Sequence, residues 1–301
     1  MGAAVLGVQR LGDDAYGCRD GAHQLGSAWL VSQLSIKGAK AAELPLPQKF
    51  NAHDSVTLGN TGIKTSRLAM GTGTHGFDNR SDQTGLGMAE LTALLLHGYD
   101  NGLRFFDTAD SYGSHPYVAS ALKHVPRDKV VVMTKTDTRD PKGVRADLDR
   151  FRRELGTEYI DIVLVHCVTE ADWTTRYKGV MDVLSEAKDK GVIRTHGVSC
   201  HSIEALRAAA ASPWVEVDLV RMNPVGAYMD ADPQTVAGVI KQMRASGKGI
   251  IGMKILGQGK LRNHQSEAIH YALSLGLLDA FTIGAASVNE QKDLIGRIAA
   301  A

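Results

Sequence analysis

From Ser66 onward the chain alternates between short β-type runs and amphipathic helical stretches, and this alternation constrains the fold more than any other feature. The candidate strands are SRLAMGTG, RFFDTA, VVVMTK, DIVLVHC, RTHGVSC, DLVRMNP, GIIGMKI and AFTIGAA. Between them lie MAELTALLLHGYDNG (88–102), GVRADLDRFRRELG (143–156), YKGVMDVLSEAKDKG (177–191) and AIHYALSLG (268–276), with apolar residues three and four apart. Gly102, Gly156, Gly191, Gly247 and Gly276 stand where such helices would end, and glycine enters the left-handed conformation that closes a helix most easily. Eight β-then-α units predict an α/β fold of the (β/α)8 TIM-barrel type, with a doubly wound open sheet as the alternative that strand counting leaves open.

Ahead of the first barrel strand, SVTLGNTGIKTSRL presents two alternating runs around Gly59, Asn60, Thr61 and Gly62, a hairpin signal. An N-terminal β-hairpin at that point is expected to cover the barrel bottom, where the core is otherwise open to water. Residues 1–47 read as an N-terminal extension, and residues 48–301 as the barrel domain. Within the extension, GCRDGAHQLGSAWL resembles a degenerate export signal that lacks the paired arginines; a disordered extension is the plainer reading. The first reading implies a periplasmic location, the second a cytoplasmic one.

Charge and cysteine content narrow the function classes. With 34 Lys plus Arg against 33 Asp plus Glu, the net charge of +1 gives no pull toward nucleic acid or anionic membrane, so a small-molecule partner is expected. No apolar run reaches the roughly 18–20 residues of a spanning helix. Cys18, Cys167 and Cys200 form neither an even set nor a CxxC pair, and the spacing of His196, Cys200 and His201 is easily met by chance with no carboxylate or further Cys nearby, so no metal is expected. A monomer or small homo-oligomer is expected.

In a (β/α)8 barrel the reactive side chains come from the C-terminal strand ends and the loops that follow. Asp107, Lys135 and His166 fall at the ends of the second, third and fourth candidate strands, and Tyr112 in the loop after Asp107. Alternation along each strand puts Phe105 with Asp107, Val131 and Met133 with Lys135, and Ile162 and Leu164 with His166 on one face. Three neighbouring strands therefore aim one polar residue each at the same mouth. Delivery of hydride to a carbonyl carbon builds negative charge on oxygen, which calls for a proton donor within hydrogen-bond reach. A free phenol ionises near pH 10, so a cation beside Tyr112 helps it give up its proton. Lys135 supplies that cation, Asp107 holds the lysine, and a neutral His166 is expected to donate to the carbonyl oxygen.

Over roughly residues 50–300 the sequence resembles the aldo-keto reductase family, through GLRFFDTADSYGS (102–114), LGNTGIKTSRLAMGTG, ELGTEYIDIVLVH (154–166) and GVIRTHGVS (191–199), in the family's order. The family's Asp, Tyr, Lys and His tetrad falls on Asp107, Tyr112, Lys135 and His166. The resemblance implies an NAD(P)H-dependent carbonyl reductase, reversible toward alcohol oxidation, with Tyr112 as general acid, NADPH as cofactor and NADH as the alternative. It places cofactor contacts at Gly71, Thr72, Ser199, Cys200, Arg221, Asn223, Met253, Lys254, Leu256, Gly257, Gly259, Ser287 and Gln291. Cys200 stands where the family has an amide-holding Asn, Arg221 where Gln is frequent, Met253 where an aromatic ring stacks on the nicotinamide, and Ala286 where a basic residue grips the 2′-phosphate. These departures leave room for a second reading, a nicotinamide-nucleotide-binding sensor or partner subunit with slow turnover.

His75 and Trp173, in the loops after the first and fourth strands, are the candidate substrate-side residues. The end of the sequence at Ala301, directly after the last barrel helix, predicts an open and unselective substrate pocket. GTGTHG (71–76) matches GxGxxG, but no helix opens directly after it, so it is not read as a dinucleotide fingerprint.

Overall fold

The computed structural model describes residues 49–301; the expectations for residues 1–47 lie outside them. Two short strands, β1 (Ser55–Thr57) and β2 (Lys64–Ser66), pair antiparallel. Eight more, β3 (Leu68–Gly71), β4 (Phe105–Asp107), β5 (Val131–Thr136), β6 (Ile160–Val168), β7 (Ile193–Cys200), β8 (Val217–Arg221), β9 (Gly249–Met253) and β10 (Ala280–Ile283), pair parallel in chain order, and β10 closes on β3. The open-sheet alternative is thereby excluded, and the (β/α)8 TIM barrel holds.

The helices are α1 (Met88–Asp100), α2 (His115–Leu122), α3 (Pro141–Leu155), α4 (Trp173–Arg176), α5 (Lys178–Asp189), α6 (Ile203–Ala211), α7 (Pro233–Ala245), α8 (Gln265–Ser274) and α9 (Val288–Ala299). α3 shows how local sequence sets an element. The Asp140 side chain caps it by accepting from Gly143 N at 2.8 Å, and Pro141 occupies the first turn, where its missing N–H costs nothing. Val144, Leu148, Phe151 and Leu155 make its buried stripe, and Gly156 ends it at φ 64°. The helix begins two residues earlier than its apolar period suggests because proline fits the first turn. The other four predicted helix-ending glycines also have positive φ.

Two apolar layers result. Outward-facing strand residues and the helix stripes form the larger, and Ala69, Phe105, Val131, Met133, Ile162, Leu164, Leu219 and Ile251 fill the barrel. The hairpin closes the lower end of that inner layer. Leu58 and Ile63, from the loop between β1 and β2, are fully buried in it. Gly59 donates to Asp279 and Asn60 to the Gly247 carbonyl (2.8 Å). A Cβ on Gly59 would stand 2.4 Å from backbone atoms of Gly247, Lys248 and Gly249, so the close approach requires glycine. Among the described residues no helix is long and apolar enough to cross a membrane.

Candidate active site

Strand parity delivers Asp107 and Lys135 to the upper mouth of the barrel, above the inner residues Phe105, Val131 and Met133. Lys135 is fully buried, and its Nζ donates to Asp107 Oδ1 at 2.5 Å and to the Thr108 carbonyl at 2.8 Å. The second Asp107 oxygen accepts from Thr282 Oγ1 at 2.7 Å. Both carboxylate oxygens are thus engaged, as a buried charge requires. Thr282 did not emerge from the sequence. The available signal was its register on β10, two residues after the inward-facing Ala280.

Tyr112 ends a 3-10 turn after β4, and Gly113 follows at φ 63°. Lys135 Nζ lies 4.7 Å from the centroid of its ring, and the His166 ring meets it edge to face at 5.7 Å. The glycines of GTGTHG shape the slot for this phenol. A Cβ on Gly73 would fall 2.1 Å from Tyr112 Cε2, and one on Gly76 2.4 Å from Cδ1. The motif thus has a steric role that the fingerprint test did not reveal.

His166 adds a partner missed in the sequence. Its Nδ1 lies 2.9 Å from Asp137 Oδ1, two residues beyond Lys135. Burial pushes the imidazole below its ordinary pKa, against the hydrogen bond and charge of Asp137, which raise it. Burial acts to raise the Asp137 carboxyl, but hydrogen bonds from His166 and Ser111 and the Arg139 charge hold it below the usual range. An ionised Asp137 can only accept, so Nδ1 carries the proton and a neutral ring presents Nε2 as an acceptor. A neutral His166 is therefore not the donor to a carbonyl oxygen that the sequence led us to expect.

Beside Asp107 and Tyr112 opens a cavity of about 400 Å³. Gly71, His75, Met253, Lys254, Leu256 and Gly259 of the predicted set line it. Ser199 is fully buried on the inward parity of β7, and its hydroxyl has no hydrogen-bond partner among the described residues. Arg221 is buried and ion-paired with Asp230, and it also donates to the His201 carbonyl at 2.8 Å.

Several other expected contacts are not among the residues that line this cavity, and each is engaged within the fold. Thr72 is buried and donates to the Asp107 carbonyl. Cys200 faces outward, its thiol 3.4 Å from Asp218 Oδ2, because it is one residue off the inward parity of Ser199. Both ends of the Asn223 amide clamp the loop after β8, donating to the Ala227 and Lys254 carbonyls and accepting from Val225 N and Ala227 N. Gly257 sits at φ 55° in a 3-10 turn against Ala227. Ser287 caps α9 through Glu290 N, and Gln291 pairs with His97 at 2.5 Å beneath that helix. Trp173 is not a pocket wall: it is fully buried, donates to the Ala205 carbonyl at 3.2 Å and meets Trp214 edge to face. Arg262, Gln265, Glu290 and Asp293, which do line the cavity, were not anticipated; they belong to helices and loops whose facing no strand parity predicts.

Fold and site together define a (β/α)8 barrel with a buried Asp–Lys pair beneath a tyrosine at the mouth of an open cavity. The chain belongs to the aldo/keto reductase family, whose model matches residues 69–275. It is similar to a (1S)-1,7-diacetoxy-luvungin A aldo-keto reductase of Citrus sinensis, 31% identical over 155 residues that cover 44% of this chain and 48% of that protein. It is also similar to an NADH-specific methylglyoxal reductase of Escherichia coli strain K12, 26% identical over 189 residues covering 55% and 57%. The chain spans about half the length of the curated relatives it matches. Among solved structures, an aldo-keto reductase from Bacillus halodurans superposes with a TM-score of 0.67 at 17% identity, over 82% of this chain and 91% of that one.

Proposed function

We propose that this chain reduces aldehydes or ketones with a nicotinamide dinucleotide, Tyr112 serving as general acid, and runs the alcohol oxidation in reverse. The observation that carries this reading is the fully buried Lys135, held by Asp107 and set 4.7 Å from the Tyr112 ring centroid. When bound, the reduced nicotinamide supplies the hydride. The Lys135 charge stabilises phenolate character on Tyr112 as its proton leaves, and Asp107, fixed by Thr282, keeps the ammonium from turning away. His166, with Nδ1 committed to Asp137, offers Nε2 to accept from the hydroxyl that forms.

The cavity suits the dinucleotide. It runs from Asp107 and Tyr112 past Gly259 to Arg262, Glu290 and Asp293. Outside the cavity lining, at the inward-facing end of β7, the buried hydroxyl of Ser199 has no hydrogen-bond partner among the described residues and is suited in kind to a carboxamide oxygen. Two carboxylates, Glu290 and Asp293, line the cavity, and Ala286 offers no charge for a 2′-phosphate. Like charges repel an added phosphate, so NADH is favoured over NADPH, with Arg262 and Arg297, which pairs with Asp293 at 2.7 Å, as the opposing cations.

The test is steady-state oxidation of NADH and NADPH by purified protein with 4-nitrobenzaldehyde and a panel of aliphatic and sugar aldehydes. Turnover with at least about tenfold higher kcat/KM for NADH is expected, equivalent to about 1.4 kcal/mol. Tight nucleotide binding without turnover on any carbonyl would instead support the sensor reading, and a preference for NADPH would overturn the cofactor assignment alone.

A further inference from the structure

The end of β6 carries an irregularity that the proposed reduction does not use. Along a regular strand His166 and Cys167 would point to opposite faces. Here the pairing with β7 shifts register between Val165 and Val168, and Cys167 sits at φ 50°, in the left-handed region that a residue with a Cβ rarely enters. The turn carries the thiol round to the side of its neighbour. A carboxylate oxygen of Asp137, a ring nitrogen of His166 and the Cys167 sulfur all lie within 4.8 Å of one another. From the loop after β7, His201 Nε2 comes within 3.8 Å of the same sulfur.

The geometry points to a binding site for a zinc-class divalent cation, formed by Asp137, His166 and Cys167 with His201 as the fourth donor. One thiolate, one carboxylate and imidazole nitrogens are the donor set that zinc takes, whereas magnesium and calcium want oxygen alone. A tetrahedral ion with bonds of roughly 2.0–2.3 Å spaces its donors roughly 3.3–3.8 Å apart, so the cluster closes by about 1 Å to coordinate. Carboxylate and thiolate together neutralise the dication; binding releases the thiol proton to water, and a metal taken on His166 Nδ1 moves the ring proton from Nδ1 to Nε2, leaving the imidazole neutral. Asp137 is 44% exposed and opens the way in from solvent. Arg139, which donates to the His166 carbonyl, opposes a cation here and sets the affinity below that of a wholly anionic site. The site shares His166 and Asp137 with the proposed reduction, so an ion there alters turnover; that consequence alone rests on the reading above.

The full chain, freed of metal with a chelator, is titrated with Co²⁺ as the spectroscopic stand-in. One equivalent is expected to raise a thiolate-to-cobalt absorption band that zinc then displaces. Cys167→Ser removes the band and weakens zinc binding at least about tenfold, His201→Ala weakens it about tenfold, and Cys200→Ser leaves both unchanged. Asp137→Asn, at an exposed position that does not threaten folding, keeps the band while weakening zinc about tenfold. Absence of the band in the unaltered chain, or its survival in Cys167→Ser, overturns the proposal. The band is read without substrate or nucleotide, so a catalytically silent protein that shows it refutes only the reductase reading.

Discussion

The two ends of the barrel are built from the same strands and solve different problems. At the lower end Leu58 and Ile63 close the core by burial, and Asp279 ties the hairpin down by accepting from Gly59 N and Ile250 N while pairing with Arg244 at 2.6 Å. The upper end holds a buried ion pair, an orphaned hydroxyl and strained backbone. The non-glycine residues with positive φ among those described are His75, Asp78, Asn79, Cys167, Tyr228, Lys254 and Gln258, and every one lies in a loop or strand end at the upper mouth. Such conformations cost of order 1–3 kcal/mol each and persist where the surroundings over-determine them. The lower end therefore contributes stability that the upper end can spend on geometry.

If this division is right, substitutions at the two ends should separate in their readouts. The largest effect is expected from Tyr112→Phe, which loses at least about 100-fold in turnover, the low end for a positioned general acid, while the melting temperature and nucleotide binding stay near those of the unaltered chain. Near-normal turnover in that variant would break the assignment. Leu58→Ala should do the converse, costing about 2–5 kcal/mol in urea unfolding with kcat nearly unchanged at a temperature where the variant is folded. An equal loss in kcat would show that the plug also shapes the mouth.

A third test concerns pH. His196, stacked on Trp214 at 4.3 Å, is held by burial at a pKa of about 4, against an ordinary 6.5. The unfolded chain binds this proton first, so stability attached to the neutral ring is fully present above pH 6.5 and falls as pH drops toward 4. The loss is on the order of 3 kcal/mol. His196→Phe should flatten the acid side of the unfolding free energy between those pH values without moving the pH profile of turnover. The smallest effect is expected from Thr282→Val, which removes one hydrogen bond to Asp107. About a tenfold drop in kcat with little change in stability would mark Thr282 as a positioning residue. A matched loss of stability would make it merely structural.

The chain's one-dimensional pattern carried the barrel because its information is local. Eight short β-type runs, helix stripes of period three to four and glycines at helix ends are properties of neighbouring residues. Parity along β4, β5 and β6 carried the convergence of Asp107, Lys135 and His166 for the same reason, since alternation fixes which side chains share a face. Parity also accounts for the one-residue error at Cys200, where the motif aligned two neighbours to the site although a strand can offer only one of them. Trp173, Ser287 and Gln291 misled because a loop or helix position does not say which way its side chain turns.

What the sequence determined by itself was the order of elements, the hairpin plug and the polar residues at three strand ends. Only the tertiary structure decided who partners whom. Thr282 reaches Asp107 because β10 closes on β3, a contact between residues 175 apart in the chain. Asp137 fixes the His166 tautomer across two strands, and Gly73 and Gly76 make a slot for a ring from the next strand's loop. These are contacts of closure, and they exist only once the eighth strand has met the first.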